Sequence, residues 1–400
     1  VMYMDGDGSV VVTAEIAFAD TGLDIQTLWV RLPDGTSIEI DKSFATETGT
    51  FTENFTVSTE RIGAFILEFW LEDAAGDSSG YRTAEFNVAW DVQSSDWTSR
   101  LSGLPYTLND VIWDGTVFIA VGDGGTVLTS ADGIDWIARE SDTDANLYAV
   151  TADGSDIFVV GAEIVLLSTN HGESWVAKVS PASTTLPHYT VLQAVVVNSS
   201  QVIAFGSVYV GGVPFPQNMI SEDRGDTWQT LDPSVGPVSD VIYHDGLFVA
   251  ATNRPGAGVA LVLVSSDGMS WNPITLNILF NDERGGLHTV VHDGSQFVVA
   301  GEDGSVFASF DGFNWEEKQT PVMDVDYLSG AWNGSRLVFT GGYASRFWSY
   351  GGTATPPFEV PVGVSSTDGG VTWDIFNIDG EYESHGMAFG NGLFVSVGDS

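Results

Sequence analysis

Cysteine is absent from this 400-residue chain. That excludes disulfides, catalytic thiolates and cysteine-ligated zinc. Lysine is almost absent: the 13 bases include 3 Lys, against 54 Asp and Glu, for a net charge of −41. Such a field repels DNA, RNA and anionic lipid, so a nucleic-acid partner is not expected. Long apolar runs are missing too. No window approaches the roughly 18–20 residues a membrane helix needs, and membrane insertion is not expected. The acids are spread through turns, which reads as a solvated acidic surface.

What is present is apolar, aromatic and glycine-rich: 43% hydrophobic residues, 46 Gly, 13 Trp and 23 Phe. Residues 9–90 alternate apolar and polar with period two ("SVVVTAEIAFA", "AFILEFWLED", "YRTAEFNVAW"). Alternation rich in β-branched and aromatic residues is the strand signal. "LPDGT" and "DAAGDSSG" supply turns. Residues 1–90 are therefore expected to form a β-sandwich, which resembles the immunoglobulin-like and fibronectin-like spacer modules of bacterial surface proteins.

Beyond residue 91 one loop recurs: "SADGIDW" (130–136), "STNHGESW" (168–175), "SEDRGDTW" (221–228), "SSDGMSW" (265–271), "SFDGFNW" (309–315) and "STDGGVTW" (366–373), with a degenerate "QSSDW" ending at Trp97. The Trp residues are spaced by 39, 39, 53, 43, 44 and 58. Each unit reads as two apolar strands, a third ending in Ser, the loop, and a fourth strand opening at Trp. Four strands per unit over about seven units describe a β-propeller. The fold class is thus all-β, a sandwich followed by a seven-bladed propeller over 91–400. Six blades are expected at 105–140, 146–180, 190–232, 238–276, 287–320 and 327–378. The last is expected to be closed by strands from 86–102 and 385–400, with Phe86–Val92 as third strand and Trp97 opening the fourth. Closure of this kind removes exposed sheet edges. "VGDS" at 397–400 also matches "VGDG" at 121–124, which leaves open a chain that continues.

The pattern Ser-x-Asp-x-Gly-x-Thr-Trp resembles the Asp-box, or BNR repeat, of sialidase-like propellers. A single propeller with a box in nearly every blade is most similar to the photosystem II assembly factor-like group, and the resemblance implies a structural box. The residues agree. Asp132, Asn170, Asp223, Asp267, Asp311 and Asp368 can accept backbone hydrogen bonds within their own turn. Gly supplies positive φ. Trp136, Trp175, Trp228, Trp271, Trp315 and Trp373 are expected to wedge against a neighbouring sheet. Calcium is a candidate ligand of these loops, but one carboxylate per loop falls short of the six to eight oxygens it takes. No metal site or cofactor is expected.

Function is expected in departures from the repeat. Long loops at 206–218, 252–259, 341–363, 181–190 and 277–286 all open on the face opposite the Asp-boxes. They gather Arg254, Arg284, Tyr343, Arg346, Trp348 and Tyr350, a set suited to a protein or glycan partner. The expected role is a non-catalytic binding and scaffolding protein, secreted, surface-held or periplasmic, with the sandwich as a further assembly surface. The alternatives are a polysaccharide-active hydrolase or lyase, and a structural subunit of an extracellular assembly. Against catalysis stand the missing Arg-Ile-Pro motif of sialidases, the single propeller, and the lack of a Ser-His-Asp order or metal-ligand cluster.

Overall fold

The computed structural model describes the strands within residues 2–99 and residues 106–178, 188–232, 235–253, 260–276, 286–321, 325–343, 362–378 and 384–399. The chain divides into two compact units, one of Gly6–Asp91 and one of Val1–Asp5 with Val92–Ser400.

In the smaller unit, Ser9–Ala19 pairs along its whole length with Thr48–Ser58. A four-stranded antiparallel sheet runs in the order Ser37–Asp41, Ile25–Arg31, Gly63–Asp73, Arg82–Val88.

The larger unit is a β-propeller. Six blades are antiparallel sheets built from successive stretches of the chain, five of them four-stranded and blade 3 five-stranded through the added strand Val213–Pro216. Their innermost strands are Leu108–Trp113, Leu147–Asp153, His188–Val197, Val238–His244, Leu287–His292 and Val325–Trp332. Second strands such as Phe118–Gly122 and Phe297–Gly301 are buried throughout, as sheet packed on both faces must be. A further four-stranded sheet takes Ser384–Gly390 and Leu393–Gly398 from one end of the chain and Met2–Met4 and Trp97–Ser99 from the other.

That sheet differs from expectation in its third strand. Met2–Met4 pairs with both Leu393–Gly398 and Trp97–Ser99. Arg82–Val88 pairs instead with Gly63–Asp73 in the smaller unit. Alternation in "EFNVAW" specifies an amphipathic strand without specifying its partner. A three-residue strand carries no periodicity to detect. The unit boundary moves with it, because Val1–Asp5 belongs with the propeller and not with residues 6–91.

The six repeated loops share one hydrogen-bond plan. In each, the Ser hydroxyl donates to the Asp or Asn carboxyl or amide oxygen and accepts from the loop Gly amide. The Asp or Asn oxygen accepts amides two to four residues on, for example from Ile134 and Asp135 at 2.9 Å. Loops with one extra residue place it in left-handed conformation: His171, Arg224 and Gly369, with φ of 57°, 61° and 69°. Five indoles donate to their loop Gly carbonyl. Trp175 Nε1 is buried with no partner among the described residues.

Each Trp packs into the core between its own blade and the preceding sheet. Trp175, Trp228, Trp271, Trp315 and Trp373 join cores shared by blades 1–2, 2–3, 3–4, 4–5 and 5–6. Trp136 packs where blade 1 meets Ala388, Leu393, Val395 and Val397 of the terminal sheet. Trp97 of that sheet stacks on Phe376 of blade 6, with centroids 5.7 Å apart.

Candidate functional site

Every inner strand carries the same irregularity near its start. In blade 1, Gly122 pairs with Leu108 and Val121 with Asp110, so Asn109 is an extra, bulged residue. The same shift sets Tyr148, Gln193, Ser239, His288 and Leu328 apart in blades 2–6, and His385 in the terminal sheet. A β-bulge re-aims a side chain. Here all seven bulged residues line one cavity of about 460 Å³, together with the residues that follow them on the inner strands. The bulge requires backbone to approach backbone closely. A Cβ on Gly122, Gly161, Gly206, Gly301 or Gly341 would sit 1.8–2.2 Å from a carbonyl oxygen of the inner strand or the residue just before it. Blade 4 carries Thr252 there, its hydroxyl donating to the Leu261 carbonyl at 2.7 Å.

The cavity wall ties blades together. Asn109 Nδ2 donates to the Leu147 carbonyl at 2.7 Å, and Ser239 Oγ to the Leu287 carbonyl at 2.9 Å. Asp110 accepts the Val111 amide on one oxygen and the Val150 amide of blade 2 on the other. Asp240 repeats this in blade 4, accepting from Val241, Val290 and the Thr289 hydroxyl. Burial raises both carboxyls, Asp110 to about 7, with the charge of Asp240 adding to the effect on Asp110. Burial also lowers His288, against the opposing pull of Glu302 and Asp326. At the far end of the inner strands, His244 and His292 stack with centroids 3.5 Å apart, and burial with the neighbouring His244 lowers His292. On a chain of charge −41, five of the seven bulged residues, Asn109, Tyr148, Gln193, Ser239 and Leu328, are uncharged, and they share the wall with Asp110, Asp240, His288 and His385.

The bulged end of the cavity is the end where second strands lead into third strands, so it lies on the insertion face. In blade 3 the long loop is a β-hairpin: Val202–Val210 pairs with Val213–Pro216 across Gly211 and Gly212, whose φ values of 59° and 85° suit a two-residue turn. The first strand follows it outward, pairing His188–Thr190 with Val208–Val210. The result is a three-stranded ribbon beyond the blade. Tyr189, Val210, Val213 and Phe215 on it are exposed.

Of the residues expected to bind a partner, Arg254, Arg284, Arg346, Trp348 and Tyr350 lie outside the described residues. Tyr343 ends the strand Leu337–Tyr343, paired through its backbone with Val325, and its side chain lies outside the description. Sequence reasoning singles out His288 and His385 as candidate bases or channel-lining residues and misses the other bulged residues, Asn109, Tyr148, Gln193, Ser239 and Leu328, and the Asp110–Asp240 pair. The signal was present: "LNDV", "LYAV", "LQAV", "VSDV" and "LHTV" each break strict alternation at the second residue. Among the described residues, no group of three or more His, Asp and Glu side chains could hold a metal ion.

No family model matches the chain, and no curated protein matches it. Solved structures do. YCF48 bound to a D1 peptide aligns with a TM-score of 0.53 at 18% identity, over 75% of this chain and 94% of that one. The WD40 propeller domain of Doa1 gives 0.48 at 11% identity, over 75% and 92%. The Hadza microbial sialidase Hz136 gives 0.41 at 14% identity, over 100% and 95%. At such identities the first likeness shows the propeller fold alone.

Proposed function

We propose that this chain is a non-catalytic binding and scaffolding protein acting outside the cell, a seven-bladed Asp-box propeller that presents its insertion face to a protein partner. The terminal sheet is the seventh blade in this reading. It is supported by the bulge that sheet shares with the other six and by its inner strand lining the same cavity. The smaller unit acts as an immunoglobulin-like spacer.

The observation that carries the binding role is a cavity on the insertion face whose bulged residues are mostly uncharged and whose two carboxyls, Asp110 and Asp240, are taken up by backbone amides, on a chain of charge −41. Interfaces concentrate aromatic residues and deplete charge at their cores. A polysaccharide-active enzyme would need two carboxyls free to act on a glycosidic bond. Asp110 and Asp240 share the cavity, but their oxygens accept backbone amides of adjacent blades, which supports a structural role for both. The partner of YCF48 in its solved structure is a peptide, and a protein ligand is proposed here by analogy of fold.

Arg254, Arg284, Tyr343, Arg346, Trp348 and Tyr350 are proposed to extend this surface. The test is affinity capture from the native cell-surface fraction with the parent and the Arg346→Ala/Trp348→Ala double variant. The double variant is expected to lose the captured partner at an unchanged melting temperature. Equal capture by both would defeat this assignment of the face.

A further inference from the structure

We propose that the ribbon projecting from blade 3 recognises a proline-rich, extended segment of the partner, seated across Tyr189 and Tyr209. This rests on the binding role proposed above and names the chemistry of the segment.

Register fixes which side chains share a face. Tyr189 is paired with Tyr209, and Tyr209 with Pro214, so the three form one row across the ribbon. The row reaches toward blade 2, because burial and then the neighbouring Tyr148, itself a bulged residue of the cavity wall, push the Tyr189 hydroxyl up. Tyr189 is 46% exposed. Its ring lies 6.2 Å from that of Tyr209 at an interplanar angle of 47°. Two tilted rings at that distance form a notch. A sugar chain stacks best on rings that lie flat and in line. A polyproline II segment presents ridges of pyrrolidine rings that fit aromatic notches, and its carbonyls have no internal donors, so tyrosine hydroxyls can serve them.

The outer edge of the ribbon is also built against the other way of holding an extended peptide, strand addition. Its outer strand reads Val213-Pro214-Phe215-Pro216. In a two-residue hairpin the closing pair, Val210 with Val213, bonds inward. Alternation then turns positions 214 and 216 outward. Proline at both leaves that edge with no N–H to donate, which blocks pairing with another strand. Recognition by side chains on the tyrosine face remains.

Charge completes the description of the ligand. Residues 206–218 carry no charged side chain on a chain of net charge −41, and Glu163 lies close enough to Tyr189 to act on its hydroxyl. An uncharged strip in an acidic field suits an apolar proline stretch flanked by basic residues.

The test is fluorescence polarisation with a labelled Arg-(Pro-Pro-Leu)3-Arg peptide, the same peptide with Ala for every Pro, and cellohexaose as competitor. Saturable binding of the proline peptide is expected, weakened about tenfold or more by Tyr189→Ala and by Tyr209→Ala. Phe313→Ala, on the opposite face, is expected to leave it unchanged. Tyr209→Phe keeps the ring and guards against a folding defect in Tyr209→Ala; it is expected to bind more tightly than the Ala variant. The inference is overturned by no saturable binding, by equal binding of the Ala peptide, or by tyrosine variants that bind like the parent. Displacement by cellohexaose through the same tyrosines also overturns it, in favour of a glycan. If the peptide fails while capture still depends on Arg346 and Trp348, only this inference falls. If both fail, the binding role falls as well.

Discussion

Asp110 and the carboxylates of the repeated loops answer to opposite forces. Asp223 is exposed, and the Thr227 hydroxyl and amide hold its carboxyl down at about 2. A lowered group lends stability that is present above the ordinary value near 4 and is lost as pH falls toward 2. Asp110 is raised to about 7 by burial. Folding therefore favours its neutral form, and that contribution is full below about 4 and lost as pH rises through about 7. Asp110→Asn removes the titration. Between pH 5 and pH 8 the parent is expected to lose stability relative to this variant, by about 2 kcal/mol, in paired thermal or urea melts. A gap between the two that stays constant with pH would show that Asp110 does not titrate in this range. Among the indoles, Trp228→Ala is expected to cost about 3–5 kcal/mol, because its ring fills the core between blades 2 and 3. A change below about 1 kcal/mol in the denaturation midpoint analysis would mean the ring does not wedge the blades.

At the scale of the element, the recurring unit is a sheet with a fixed defect. In five blades the inner-strand bulge and the glycine facing it form one device, since there the extra residue brings a carbonyl to within 1.8–2.2 Å of where a Cβ would stand, whereas blade 4 accommodates Thr252. Gly206→Ala would place a methyl 2.0 Å from the Val191 carbonyl oxygen. A loss of about 3 kcal/mol or more is expected. Gly154→Ala is the matched control: φ is 63°, but nothing lies within 4 Å of the added Cβ. It is expected to cost only about 1 kcal/mol, from backbone strain alone. Similar losses in chemical denaturation would show that the close approach is not what selects glycine at 206. The hairpin loops differ from the bulges in legibility. Ser, Asp, Gly and Trp at fixed spacing announce a turn whose hydrogen bonds are local. A bulge is a relation between two strands, and its trace in sequence is one residue out of alternation.

For the molecule as a whole, the decisive contact is made by three residues. Met2–Met4 lies between Leu393–Gly398 and Trp97–Ser99, so the two ends of the propeller unit meet in one sheet. The neighbours of that sheet are blade 1, through Val395 and Trp136, and blade 6, through Trp97 on Phe376. A Cβ on Gly386 would lie 2.7 Å from the Asp110 Cα, which shows how tightly the inner strand of this sheet packs on blade 1. Deleting residues 1–5 is expected to lower the melting temperature of the whole propeller in one cooperative transition, because it leaves an unpaired edge inside a closed structure. If calorimetry of the truncated chain shows an unshifted main transition, the short strand is dispensable to closure.

The sequence by itself determined the all-β class, the period of the repeat and the internal plan of the six loops, because these depend on neighbours within a few residues: a Ser two before an Asp, a Gly at positive φ, an alternation of period two. Only the tertiary structure decided that Met2–Met4 holds the third place in the terminal sheet, that Arg82–Val88 pairs elsewhere, that the bulged side chains converge on one cavity, and that burial raises Asp110. Pairing partners, convergence and burial are relations between residues tens to hundreds of positions apart, and the local pattern of a strand is compatible with many partners until packing selects one.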